Sequence, residues 1–207
     1  MFGDPVLNSK NIPIEKLDEL TVKIGSGSTP RGGSKIYQKS GIMFIRSQNI
    51  HMNRMDLDNI AFITTRIHNN MKNTWVKNGD VLLNITGASI GRVAFFDGKS
   101  DSANVNQHVC IIRPIKEKLN PIYLSYMISQ INYQNKILGE NTGGTREAFN
   151  FKKIKSFDVM NPKIDLQNKF ADIVQQVEKL KAEYKESEKE LDNLFGSLMQ
   201  RAFRGEL

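Results

Sequence analysis

The chain has 207 residues, 29 Lys/Arg against 22 Asp/Glu, a formal net charge of +7 and a pI near 9.4, with 39% of its residues apolar. This length buries one real core plus an appendage, and the composition excludes low-complexity, collagen-like and disulfide-rich classes. The longest apolar runs span only a few residues, and Met1-Phe2-Gly3-Asp4-Pro5 lacks a basic segment followed by an apolar one. Neither a membrane span nor a signal peptide is expected, and the location reads as cytoplasmic.

Along the chain, residues 8–13 read as an irregular start, and Ile14-Glu15-Lys16-Leu17 as a short turn or strand start. Gly25-Ser26-Gly27-Ser28-Thr29-Pro30-Arg31-Gly32-Gly33-Ser34-Lys35 is a loop with two cations, whose amides suit an anion; it lacks the spacing of a nucleotide-binding P-loop. Ile42-Met43-Phe44-Ile45 reads as a buried strand leading into Arg46-Ser47-Gln48-Asn49. Trp75 reads as a core or rim aromatic just before the next strands, which cover 81–86, 92–96 and 107–112, separated by Gly, Asn and Asp turns. Asn120-Pro121 caps an amphipathic helix through Leu124, Met127, Ile128, Ile131 and Leu138, followed by a second Gly-rich loop, Asn141-Thr142-Gly143-Gly144-Thr145-Arg146. A last strand over 157–160 ends at Asn161-Pro162.

Beyond that point the pattern changes. Phe170, Ile173, Val177, Leu180, Tyr184, Leu191, Leu194 and Leu198 recur at 3-4 spacing, broken only by Ser187 and Arg201. No Pro follows Pro162, so the spacing predicts one helix of roughly 35 residues, about 50 Å long. A stripe this narrow needs a second helix to cover it, which makes these eight residues the expected dimer interface. The fold class expected is α+β: a mainly antiparallel, bent-sheet domain over 1–161, followed by one long C-terminal coiled-coil helix within 162–207. Residues 161–207 hold 8 Lys/Arg against 9 Asp/Glu, leaving 21 against 13 in residues 1–160, so the basic surplus belongs to the globular part. That fits a polyanionic partner, although a solvated lysine-rich surface has the same composition.

Catalytic parts are not evident. Neither Asn-Pro pair is followed by a second Pro, as an amino-methyltransferase requires, and the carboxylates concentrate on the long helix instead of clustering as a nuclease needs. His51, His68, His108 and Cys110 show no metal-ligand spacing, and Cys110 sits in an apolar run as a buried, inert thiol would. The chain reads as a binder, with no catalytic residue and no metal site.

In this order the segments closely resemble the specificity (S) subunit of Type I restriction-modification enzymes. Lys23-Ile24-Gly25-Ser26-Gly27-Ser28-Thr29-Pro30 is similar to the opening of that family's target recognition domain. Gly79-Asp80-Val81-Leu82 with Thr86-Gly87-Ala88-Ser89-Ile90-Gly91-Arg92 resembles its central block. Asn104-Val105-Asn106-Gln107, Tyr123-Leu124, Gly143-Gly144-Thr145-Arg146, Pro162 with Gln167, and Ala202-Phe203-Arg204-Gly205-Glu206-Leu207 echo later segments. The chain departs from the family where Pro162-Lys163-Ile164-Asp165-Leu166-Gln167 lacks the usual Pro-Pro or Pro-Leu step and Glu-Gln pair. A full subunit carries two recognition domains and two long helices, whereas this chain has one of each and resembles the second half standing alone, a half-length form.

The resemblance implies a non-catalytic subunit that reads double-stranded DNA. Partners implied are Type I methylation (M) subunits and, through them, restriction (R) subunits, with S-adenosylmethionine, ATP and Mg carried by those partners and no cofactor in this chain. A half-length chain would homodimerise through its helix and read an inverted repeat split by an unread spacer. One antiparallel register sets Tyr184 against Ser187, Val177 against Leu194 and Leu180 against Leu191. Expected DNA contacts are Arg31, Lys35, Arg46, Ser47, Gln48, Asn49, Thr145 and Arg146, because Arg, Asn and Gln suit base edges and Lys suits phosphates. The same Gly-rich loops also serve merely to turn the chain. A silent cassette product that never assembles, or an antagonist competing for methylation subunits, stays open as an alternative.

Overall fold

Short apolar and β-branched runs set the strands. In the computed structural model, which describes residues 1–98, 102–139 and 148–206, the chain passes through β1 (Ile14–Lys16), β2 (Thr21–Ser26), β3 (Ile42–Ile45), β4 (Ile50–His51), β5 (Arg54–Met55), β6 (Ala61–Ile63), α1 (Thr65–Asn70), β7 (Trp75–Val76), β8 (Val81–Asn84) and β9 (Val93–Phe95). It continues through β10 (Ala103–Val105), β11 (Val109–Pro114), α2 (Pro121–Ser129), α3 (Ile131–Gly139), α4 (Phe151–Lys155), β12 (Asp158–Met160) and α5 (Ile164–Phe203). Two compact units result, Met1–Asn168 and Lys169–Leu207.

Among the described residues, two four-stranded sheets form in the orders β6-β3-β10-β7 and β2-β11-β8-β9, with β1 paired to β12 and β4 to β5. Pairing is antiparallel except between β3 and β10, where Met43, Phe44 and Ile45 stand beside Ala103, Asn104 and Val105. The α+β class with mainly antiparallel sheets and one long terminal helix is therefore the observed architecture. One buried cluster joins the sheets, with Ile45, Val76, Ala103 and Val105 from one and Leu82, Val109 and Ile111 from the other. Val109, Cys110, Ile111 and Ile112 are all fully buried, as expected of a strand covered on both faces. Burial pushes the Cys110 thiol up to about 12, so it is a protonated packing group. His68, also buried, stacks on Trp75 with ring centroids 4.5 Å apart.

A buried ion pair ties the strand ends together. Asp80 follows the Asn78-Gly79 turn, is fully buried, and accepts Arg113 Nε and Nη2 at 2.7 Å each. It also accepts the Lys77 amide at 2.7 Å, while Arg113 Nη2 donates to the Trp75 carbonyl at 3.1 Å. The pair thus links β7, the start of β8 and the end of β11.

Two details differ from the sequence expectation. The helix expected from Pro121 to Leu138 is two helices, because Gln130 is extended (φ −60°, ψ 135°). The buried Gln134 amide donates to the Ile128 carbonyl at 2.8 Å and to the Gly91 carbonyl at 3.0 Å, so a side chain satisfies the acceptor that the next helical turn would have used. The strand expected over 107–112 starts only at Val109 and runs to Pro114, where a register shift ends it.

α5 comprises 40 residues, about 60 Å at 1.5 Å per residue. Gly205 at φ 71° closes it, with Glu206 N donating to Arg201 O at 3.0 Å and Gly205 N to Ala202 O at 3.1 Å. These two bonds satisfy terminal carbonyls in the manner of a Schellman cap. Among the described residues no helix is long and apolar enough to cross a membrane.

Breaking a buried pair by removing one partner leaves the other charge uncompensated. Asp80→Ala is therefore expected to lower unfolding free energy by about 3–5 kcal/mol in urea titration, with Asp80→Asn losing less.

Candidate nucleic-acid interface

Four polar loops are gathered at one end of the sheets by backbone and amide bonds. The Gly27 amide donates to Val109 O at 3.1 Å, and a Cβ on Gly27 would lie only 1.8 Å from the Val105 carbonyl oxygen. Only glycine lets the loop after β2 pass so close to the turn after β10. The Asn106 amide donates to Ile45 O at 3.1 Å, which sets that turn beside the segment 46–49. Asn84 Nδ2 donates to Ser47 O at 2.8 Å and to Ser89 Oγ at 3.1 Å, which adds the turn Gly87–Ser89. The Phe149 amide donates to Ile85 O at 2.9 Å, so residue 149 stands beside the same loops.

A side-chain relay crosses this end. Thr29 Oγ1 donates to Gln107 Oε1, Gln107 Nε2 lies 3.1 Å from His108 Nε2, and His108 Nδ1 lies 2.6 Å from Thr86 Oγ1. With the amide donating to Nε2, a neutral ring carries its proton on Nδ1 and donates to Thr86. The Gly-rich loop is thereby tied to the strand that follows β8. The surface is polar and preorganised, and among the described residues no group of three or more His, Cys, Asp or Glu is placed to hold a metal ion.

The expected contact residues fall into three groups. Arg31 and Lys35 are exposed on the Gly-rich loop, Gln48 is exposed, and Ser47 is half-buried. Arg46 and Asn49 form a second group, whose side chains have partners within the protein. Asn49 is buried, its Oδ1 accepting the Arg46 amide at 3.0 Å and its Nδ2 donating to Asp56 O at 3.1 Å. Arg46 Nη2 donates to Asn59 O at 2.8 Å, its guanidinium lies 5.5 Å from the Tyr37 ring centroid, and its Nε is buried without an acceptor among the described residues. Both side chains are therefore engaged in shaping the turn. Thr145 and Arg146 lie outside the described residues.

Thr29, Asn84, Thr86 and Gln107 are not among the contacts expected from the sequence, yet the structure places them on this surface. The signal was present: Asn84 and Thr86 end an apolar run, and Asn106-Gln107-His108 separates two others. Polar residues at such junctions lie where strands leave the core.

A family model described as "Type I restriction modification DNA specificity domain" matches residues 12–192. The chain belongs to this family. It is 30% identical over 176 residues to the Type I restriction enzyme EcoBI specificity subunit of Escherichia coli, covering 82% of this chain and 36% of that protein. It is 20% identical over 171 residues to the putative type I restriction enzyme MjaX specificity subunit of Methanocaldococcus jannaschii, covering 81% and 39%. The crystal structure of the HsdS subunit from Thermoanaerobacter tengcongensis shares the fold at a TM-score of 0.56 and 16% identity, covering 96% of this chain and 46% of that one. The chain spans less than half the length of each of these relatives.

Because the Gly27 Cβ position is occupied by backbone, Gly27→Ala must push two loops apart. It is expected to lower stability by about 3 kcal/mol and to open residues 25–35 to protease, read by urea titration and limited proteolysis.

Proposed function

We propose that this chain is a DNA-reading subunit of a cytoplasmic Type I restriction-modification assembly, that it homodimerises through α5, and that the dimer reads an inverted-repeat site split by a spacer. The chemistry belongs to methylation and restriction subunits that it directs, which bring S-adenosylmethionine, ATP and Mg. The observation that carries the reading is the apolar stripe of α5: Ile173, Val177, Leu180, Tyr184, Leu191, Leu194 and Leu198 are all exposed on a helix attached to a DNA specificity domain. Phe170, half-buried, completes the seam. An antiparallel second copy covers it with Tyr184 against Ser187.

On the domain, Lys35 and Arg31 meet phosphates, while Ser47, Gln48, Thr145 and Arg146 meet base edges. Lys35→Ala should then weaken binding evenly across sequences and reduce the salt slope by about one, whereas Gln48→Ala should relax preference at one base pair by about 1–3 kcal/mol. Equal loss on every sequence from both changes would count against direct readout by this loop.

Selection from a random duplex library with the purified chain, followed by sedimentation, tests the assembly. Enriched sequences should be bipartite inverted repeats bound two chains to one duplex, and adding the methylation subunit with S-adenosylmethionine should methylate them. Val177→Glu should abolish the dimer and the second half-site together. Enrichment of nothing, or inhibition of a full-length specificity subunit without methylation, would favour the silent-cassette or antagonist reading.

A further inference from the structure

One exposed side chain at the loop-bearing end of the sheets is tethered at both of its polar atoms. Gln107 accepts from Thr29 Oγ1 at its Oε1, and its Nε2 lies 3.1 Å from His108 Nε2. An amide nitrogen only donates, so that ring nitrogen accepts, and the ring proton sits on Nδ1, 2.6 Å from Thr86 Oγ1. The tethers therefore fix which side of the amide is oxygen and which is nitrogen. Gln48, also exposed, has no such tether among the described residues. The backbone of Gln107 is constrained as well, because Asn106 N donates to Ile45 O at 3.1 Å and Val109 N to Asn106 O at 3.2 Å.

A carboxamide carries two hydrogens on nitrogen and two lone pairs on oxygen. One hydrogen faces His108 and one lone pair faces Thr29, which leaves one donor and one acceptor without a further partner among the described residues. A donor beside an acceptor matches one base edge in the major groove, that of adenine, whose N6 donates and whose N7 accepts. Guanine shows two acceptors there, cytosine a donor and thymine an acceptor, so each satisfies only one half of the amide. Because its tethers already order the side chain, little rotamer freedom is left to lose on binding.

We infer that Gln107 is a specificity-determining residue that reads an adenine in the major groove, and that Thr29 and His108 are positioning residues that set the order of its donor and acceptor. This rests on the DNA-reading proposal above and adds a base contact to those named there. Thr29, Thr86, Gln107 and His108 all lie in the first compact unit, Met1–Asn168. An uncharged amide displaces no counterions from DNA, so Gln107 contributes to base preference and not to the salt dependence of binding.

The test measures competition binding of the full chain to a duplex taken from the library selection, with each base pair replaced in turn. At one position the unaltered chain should prefer adenine by about tenfold or more, a difference of about 1.4 kcal/mol. Gln107→Ala should reduce that preference to about twofold or less, leave the other positions within about twofold, and leave the salt slope unchanged. Gln107→Glu keeps an oxygen toward Thr29 but offers acceptors only, so the preference at that position should move to cytosine. Thr29→Val and His108→Phe, each removing one tether, should lower the adenine preference to about threefold, while Thr29→Ser, which keeps the hydroxyl, should retain it. Equal loss on every sequence from Gln107→Ala overturns the assignment, because Gln107 would then be a phosphate contact. An adenine preference that is missing, or that survives both Gln107 variants, overturns it too. Preferences lost at every position together do the same, since Gln107 would then hold the loops instead of reading a base. Full adenine preference in both Thr29→Val and His108→Phe overturns the positioning role. Absence of any sequence preference in the unaltered chain overturns the inference together with the DNA-reading proposal.

Discussion

Everything at the loop-bearing end of the sheets depends on a single crossing. Within Asn106, Gln107 and His108 the chain leaves β10 in one sheet and begins β11 in the other. Asn106, nearly buried, holds the crossing: its amide reaches Ile45 O at 3.1 Å, its carbonyl accepts Val109 N at 3.2 Å, and its side chain accepts His108 N at 3.2 Å. Because those bonds tie the turn to both sheets, Gln107 and His108 project from a backbone with little freedom, and Thr29 and Thr86 are held through them. Gly27 completes the arrangement by approaching the same turn more closely than any side chain permits. A surface made of loops gains its definition from the rigid sheets beneath it.

The parts of this fold that were legible in the sequence are those governed by local periodicity. The 3-4 spacing from Phe170 to Leu198 and the absence of Pro led directly to α5, and the apolar runs at 42–45 and 81–84 led to β3 and β8. What was not legible depends on partners far along the chain. No local pattern announces that Met43, Phe44 and Ile45 run parallel to Ala103, Asn104 and Val105, some sixty residues on, with the short strands β6 and β7 paired at either side of them. The break at Gln130 escaped notice because its cause is a Gln134 side chain that competes with the backbone for Ile128 O. At the candidate site Arg46 and Asn49 are base-reading types by residue, and the structure adds what the sequence does not show, that Asn59 O, Asp56 O and the Tyr37 ring engage them. Residue type announces what a side chain is able to bind, whereas its neighbours decide whether it is free to do so.

The helix poses a different energetic question from the domain. On its polar side, Glu178 and Lys181 meet at 2.7 Å, Lys179 and Glu183 at 3.8 Å, and Glu186 and Lys189 at 3.9 Å, all exposed. Pairs of this kind contribute only ~0.3–0.5 kcal/mol each. Covering an apolar seam side chain contributes ~1.5–3 kcal/mol when it starts fully exposed, and the residues from Ile173 to Leu198 start about half exposed. At roughly 1 kcal/mol each, two copies gain on the order of 14 kcal/mol, against ~4–15 kcal/mol lost when two bodies become one. If a second copy covers the seam as proposed, these apolar residues and not the ion pairs set the strength of the association, and Ser187, opposite Tyr184 in the antiparallel register, would add little to it. A seam built this way holds two chains together only as firmly as their concentration and their other partners allow. Under the dimer reading proposed above, a duplex carrying both half-sites would add its own binding energy to that association.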